Sequence, residues 1–225
     1  MQRASQAFNP QDRERINQAV QLAERGTSAE IVPVVASASG RYDRPEDIVG
    51  LWLALAAMVV VWFVFPAAQH EHGSWEAAWP HWKLLVMLAA TVLAFVVGAA
   101  LATYVGPLRR LFTSRTQMAD EVVARARGVF YSRGVHRTAG QTGVLIYVSL
   151  YERMAAVLAD QLVLDKIGQT TLDELRDTLI VALRAGDVTS AFCQTIQAAG
   201  QRLAPVLPRQ ADDVNELPDA LVLLD

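Results

Sequence analysis

The sequence predicts a mixed α/β protein, an α/β/α sandwich divided in sequence by a membrane-spanning α-helical hairpin. Three observations carry this. Two long segments, Ile48 to Ala68 and Leu84 to Leu108, contain 21 and 25 residues without one charge. Two β-rich runs, EIVPVVA and VLIYVSL, lie on opposite sides of that pair. The remaining polar stretches repeat apolar residues at steps of three and four, the period of helices that bury one face.

In chain order, Asn9 and Pro10 form an N-cap and first-turn pair. Ile16, Ala19, Val20 and Ala23 then recur at helical spacing, and Gly26 stops a helix expected over about 10–25. Glu30 to Ala36 reads as a strand, with Pro33 predicting an edge position or a bulge. Pro45 opens a helix that continues into the first apolar segment. At about 1.5 Å per residue the two segments reach roughly 31 and 37 Å, enough to cross a hydrocarbon core. Backbone amides find no water there, so both segments should be helical. The linker Gln69 to Lys83 is short and forces an antiparallel hairpin.

Basic residues set the expected orientation. Lys83 is alone in the linker, whereas Arg41, Arg44, Arg109, Arg110, Arg115, Arg125 and Arg127 flank the spans. Both termini are therefore expected in the cytoplasm, with the lipid bilayer, in a bacterial inner membrane, as the first partner. The N-terminal MQRASQAFNPQDRERINQ holds no apolar signal core, so the first span should serve as its own insertion signal. Ala90, Ala94, Gly98, Ala102 and Gly106 form a small-residue stripe that allows close helix approach. Gly50, Ala54 and Ala57 offer a counterface within the hairpin, and a self-dimer seam is the alternative. Neither span holds Asp, Glu, Lys, Arg or His, which disfavours a channel or a pump.

Beyond the spans, Leu111, Phe112, Arg115, Met118, Val122, Ala126, Val129 and Phe130 trace a helix that ends at Gly134. The loop Gly134 to Gly143 leads into the nearly unbroken apolar run Val144 to Leu150, read as a central strand covered on both faces. Met154 to Leu158 returns as its hairpin partner. Thr171 is expected to cap a helix with Leu172, Leu175, Leu179 and Leu183 inward, and a further helix covers about 188–206. The organisation is thus residues 1–47 and 109–208 as one α/β domain, spans at 48–68 and 84–108, an outer loop at 69–83, and a loosely attached tail at 209–225. A lone strand and helix before the hairpin cannot bury their apolar faces, so both polar parts must close one domain.

The chemistry is sparse. The net charge is −3, against nucleic-acid binding, and the single cysteine, Cys193, reads as a packed side chain. His70, His72 and His81 with Glu71 and Glu76 offer zinc-type ligands in the outer loop, although Trp75, Trp79 and Trp82 mark that loop as headgroup belt. Glu152, Asp160 and Asp165 are candidate cation ligands near the hairpin end, set against the rule that a turn between strands is polar and solvated. His136, Arg137 and Thr138, among three glycines, are a candidate anion-binding nest or an ordinary connection.

EIVPVVAS, the Pro-Glu-Asp segment, VFYSRGVHRT, GQTGVLIYVSLYERMAAVLAD and NELPD, in that order, resemble the TPM domain family. The family takes its name from a thylakoid-lumen protein, a photosystem II repair factor and a nematode receptor accessory protein. The resemblance is to the bacterial membrane form with an inserted helical hairpin. It implies an α/β/α sandwich and one of several roles: acid phosphatase, divalent-cation binding (calcium, magnesium or zinc), or an accessory to membrane complexes. The family's Asp-Arg-Lys motif stands here as Glu152-Arg153-Met154, which makes Arg153 a candidate ligand-binding residue. Its Gly-Tyr-Gly-Leu-Glu run is replaced by Ala155 to Ala159, and Asp160 is retained. Without those glycines the backbone cannot approach a ligand closely. The expected function is therefore a membrane-anchored, non-catalytic binding or accessory module whose partner is another membrane protein or a second copy. A metal-dependent acid phosphatase is the alternative, and an envelope metal sensor using the histidine-rich loop the third reading.

Overall fold

The computed structural model describes residues 3–40, 44–65, 81–104, 114–210 and 214–225. Four strands form one mixed sheet in the order β3-β2-β1-β4. They are β1 (Glu30–Ala36), β2 (Gly143–Ser149), β3 (Met154–Ala159) and β4 (Val222–Leu224). β1 and β2 run parallel in full register, Glu30 opposite Gly143 through Ala36 opposite Ser149, and every residue of both is buried. β3 returns antiparallel to β2, as its short connection requires, and β4 lies parallel to Val34–Ala36.

Pro33 does not mark an edge strand, because β1 has a neighbour on each side. The alternation of backbone groups explains how proline fits. The N–H of Glu30 donates to Thr142 on the β2 side, so the odd-numbered amides face the other way. Pro33 therefore faces the β4 side one residue before β4 begins at Val34, and no ladder bond is lost.

Helices cover both sheet faces. Ile31, Val35, Val144, Ile146 and Val148 pack with side chains of α2 (Pro10–Glu24), α6 (Gln161–Arg184) and α7 (Val188–Leu203). Val32, Val34, Leu145 and Tyr147 pack beneath Val122, Ala126, Val129 and Phe130 of α5 (Arg115–Ser132). The period-2 alternation of the strands sorts these two sets. α2 begins with a full capping box, Asn9 accepting from the Asp12 N–H and Asp12 from the Asn9 N–H. A one-turn helix, α1 (Ala4–Ala7), precedes it, and the upstream residues Leu111 and Phe112 of the expected α5 stripe lie outside the described residues.

Two expectations need correction. Thr171 caps nothing: α6 starts ten residues earlier, capped by Asp160, and Gly168 (φ 74°) kinks it. Val163, buried, and Ile167 continue the apolar stripe upstream of Thr171, whose hydroxyl instead donates to the Ile167 carbonyl. Nor is the segment 209–225 loosely attached over its described part. Its β4 joins the sheet, Leu221 is buried, and the Leu221 N–H donates to Asn17 Oδ1 at 3.0 Å.

Residues 41–115 form a separate compact unit. Its helices α3 (Arg44–Val64) and α4 (His81–Tyr104) are each long and apolar enough to cross a membrane, with mean hydropathy 2.3 over Asp47–Val64 and 2.7 over Trp82–Thr103. Their contact runs through small residues, with Gly98, Ala54 and Ala102 buried and Ala57, Ala90 and Ala94 half-buried. The intrahairpin pairing expected from the stripe is therefore formed, while Gly106 lies outside the described residues. A Cβ on Gly98 would sit 2.8 Å from the Gly50 Cα, so only glycine permits this approach. Large apolar side chains point outward, among them Trp52, Phe63, Leu85 and Leu93. Near the linker, the Lys83 ammonium lies 4.7 Å from the centre of the Trp62 ring. Residues 69–80 of the histidine-rich loop lie outside the described residues, and His81 opens α4.

Gly98→Val should force α3 and α4 apart and cost about 1–3 kcal/mol, the usual penalty for overpacking. Thermal melts in detergent should show a lowered hairpin midpoint for Gly98→Val and little change for Ala89→Val on the exposed face. Equal midpoints would show that the glycine contact does not hold the pair.

Candidate functional site

β1, β2 and β4 all point their C-terminal ends to one sheet edge, where open α/β sheets receive ligands. Ser37 to Gly40 leaves β1 there and Leu150 to Arg153 leaves β2. Glu152 sits in that second turn with 2% of its surface exposed. The hairpin turn is thus not simply solvated. Its Oε1 accepts the N–H of Ser39 at 2.9 Å and of Gly40 at 3.3 Å, and its Oε2 accepts the Ser149 hydroxyl. A buried carboxylate is tolerable only when donors surround it in this way. The turn that aims Glu152 inward places Arg153 in the left-handed region, φ 54°, with its side chain exposed.

Beside this clamp, the Tyr147 and Ser39 hydroxyls lie 2.9 Å apart. Burial pushes the Tyr147 phenol above its usual range, while Ser39 and the Arg125 guanidinium act the other way. Asp225 accepts from the Ser5 N–H and hydroxyl and from the Ser37 hydroxyl, and the Ser5 bonds hold its carboxyl below the usual range. The edge therefore carries hydroxyls, an exposed Arg125 and a carboxylate already engaged by the chain itself.

Glu152, Asp160 and Asp165 are not brought together. Glu152 lies at one end of β3 and Asp160 at the other, roughly 20 Å apart at about 3.4 Å per residue. Nearness in sequence across an extended strand is distance in space. Asp160 caps α6 through the Gln161 N–H at 2.9 Å, and Asp165 accepts from the Gln161 side chain at 2.7 Å. Asp160 Oδ2 is buried without a hydrogen-bond partner. Among the described residues, no three His, Cys, Asp or Glu side chains are grouped to hold a metal ion.

His136 and Arg137 fall in a single 3₁₀ turn, Val135–Arg137, before β2, at the opposite sheet edge from Glu152. Its amides form no open nest. The Arg137 N–H donates to Gly134 O, Gln141 N–H to Thr138 O, and Thr142 N–H to Thr138 Oγ1. The Ala139 N–H donates to Glu216 Oε2 at 2.8 Å, so the anion in this loop is the chain's own carboxylate. His136 packs edge-on against Tyr131, ring centres 4.9 Å apart, and Arg137 is exposed. Cys193 is half-buried against α2, and burial raises its thiol above the usual range, which keeps it protonated.

At this N-terminal edge the structure gathers residues that sequence reasoning missed. Glu24, Glu30 and Asp219 line a cavity of about 230 Å³ together with Arg25, Arg209 and Asn215. Glu24 Oε1 accepts the Ile31 N–H at 2.7 Å, and Glu30 accepts the N–H groups of Glu216 at 3.2 Å and Leu217 at 3.4 Å. Burial first, then the charges of Glu30 and Asp219, raise the Glu24 carboxyl to about 8. The NELPD run was the one sequence signal for this edge, and it gave no hint that Asp219 meets the end of α2.

Glu152→Ala should leave the Ser39 and Gly40 amides without their acceptor and cost about 1–3 kcal/mol in urea unfolding. Glu152→Gln, which keeps an acceptor oxygen, should cost less. A negligible loss for the alanine variant would show that the clamp contributes nothing to the fold.

The sequence matches no protein-family model, and no curated protein matches it. Among solved structures, the chain is similar to the BA42 protein of the psychrophilic bacterium Bizionia argentinensis, determined by NMR. The TM-score is 0.55 at 17% identity, with 96% of this chain and 94% of that chain covered. At that identity the likeness extends to the fold alone.

Proposed function

We propose that the protein is a membrane-anchored, non-catalytic binding or accessory module, an α/β unit of TPM type carried on the α3–α4 hairpin in a bacterial inner membrane. The observation that carries this reading is the outward apolar surface of α3 and α4. Side chains such as Trp52, Phe63, Leu85, Val92 and Leu93 are exposed along both helices while their contact uses small residues. In water such a surface drives aggregation, and in lipid it has no cost. Both ends of the hairpin lead into the chain that closes one sheet, so both face one compartment. The arginine-rich flanks assign that compartment to the cytoplasm.

The binding role, with another membrane protein or a second copy as partner, draws support from Glu152. Its carboxylate is occupied by Ser39, Gly40 and Ser149, so it fixes the edge rather than presenting ligand oxygens. The competing reading, a metal-dependent acid phosphatase, needs oxygen ligands converging on one cation. Glu152 and Asp160 sit at opposite ends of β3 instead. Cation binding without turnover, by calcium, magnesium or zinc, is compatible with the accessory role.

The protein should remain in the membrane pellet after alkaline carbonate extraction, and a Val92→Lys/Leu93→Lys pair should shift a large share to the soluble or aggregated fraction. Purified protein should show no metal-stimulated phosphatase turnover. Turnover that disappears in Glu152→Gln would overturn the non-catalytic reading, and complete extraction by carbonate would overturn the anchor. Zinc binding lost in a His70→Ala/His72→Ala pair would transfer the function to the outer loop.

A further inference from the structure

We propose that the C-terminal strap, residues 214–225, is a pH-operated latch, held closed while Glu24, in the carboxyl-lined cavity beneath the strap, keeps its proton and loosened when that proton is lost. The inference does not depend on the membrane reading.

The strap crosses the N-terminal edge and ends as β4, and carboxyl groups tie down its first half. Glu30 of β1 accepts two strap amides, Glu216 and Leu217, and the strap's Glu216 accepts the Ala139 amide. Asp219 accepts from Asn215 at 2.5 Å within the strap and lines the same cavity as the Glu24 carboxyl at the end of α2. Burial and the neighbouring carboxylates favour the protonated form of Glu24, and an ionised Glu24 would repel Asp219 on the strap. Glu30 adds a further negative charge beside Glu24, and Arg25 and Arg209 line the same cavity.

Glu24 also has a second task. Its Oε1 accepts the Ile31 N–H, the one β1 donor on the β4 side upstream of β4, since Pro33 has none. The strap and Glu24 together close that side of β1. When the strap loosens, Val35 loses its β4 ladder and β1 presents an unpaired edge, the geometry that accepts an added strand from a partner.

The direction with pH follows from linkage. Burial holds the proton on folded Glu24 up to about pH 8, against an ordinary value of 4.5. The stabilisation is full below the lower value and is lost progressively as pH rises to the upper one. Opening should therefore become easier by up to about tenfold per pH unit through that window and level off above it.

Hydrogen exchange on the full-length protein in detergent, corrected for the intrinsic pH dependence, tests this between about pH 6 and about pH 8.5. Protection of the 214–225 amides should fall at least about tenfold while that of β2 holds. Glu24→Gln, which keeps an acceptor for Ile31 and a donor for Asp219, should hold the strap closed throughout, and Asp219→Asn should do the same. Strap protection that tracks β2 in the wild-type protein, or that falls equally in both variants, would overturn the latch.

Discussion

Seven residues of β1 lie in parallel register against seven of β2, with α3, α4 and α5 all between them in sequence. Almost everything else depends on that pairing. Parallel neighbours need a crossover, which here includes the apolar hairpin and then α5. Neither polar part can close alone: β1 and α2 lack a sheet to cover, and β2 with β3 lacks a central neighbour. Hydrophobic burial fixes the register, because a one-residue slip would turn Ile31 and Val35 from the α2, α6 and α7 face to the α5 face. A membrane-length insertion is tolerated after Gly40 because its two helices satisfy their own backbone and pair through Gly50 and Gly98.

With the register set, carboxylates finish both sheet edges. Glu152 ties the loop after β1 to the turn after β2, Glu30 ties the C-terminal strap to β1, and Glu216 ties the strap to the loop before β2. Each accepts backbone amides that the ladder cannot use. Hydrogen bonds to a charged acceptor contribute more than neutral ones, on the order of 1.5–3 kcal/mol. The same placement limits the chemistry. A carboxylate whose two oxygens are engaged by two amides and a hydroxyl, as that of Glu152 is, serves as a structural acceptor for the loops it joins.

The sequence made local order legible and long-range geometry obscure. β1 matched its expected limits because turn signals bracket a β-branched run, and α2 started where Asn9 and Pro10 place it. The small-residue stripe identified the helix contact of the hairpin correctly. What escaped was decided by partners far away in the chain. Asp160 looks like a ligand in sequence but serves as a helix cap, because β3 carries it to the far end of the hairpin. The segment after Arg209 reads as a tail because three ladder residues give too short a pattern to detect. Glu24 and Asp219 meet only because β4 closes on β1, and no spacing rule links them.

Pro33 ties these strands of argument together. A proline in a central strand ordinarily removes a ladder bond, yet here it falls where β4 has not begun. β4 is short, so the upstream half of β1 would stand open on that side, and an open uncharged edge invites unwanted pairing. Two devices close it. Pro33 offers no donor, and the Ile31 amide beside it is capped by the Glu24 side chain. The protection is chemical rather than steric, shared between a proline and one protonatable group. The Ile31 cap itself survives loss of the Glu24 proton, because a carboxylate accepts that amide more strongly; in the latch proposed above, what loosens is the strap that carries Asp219 past Glu24.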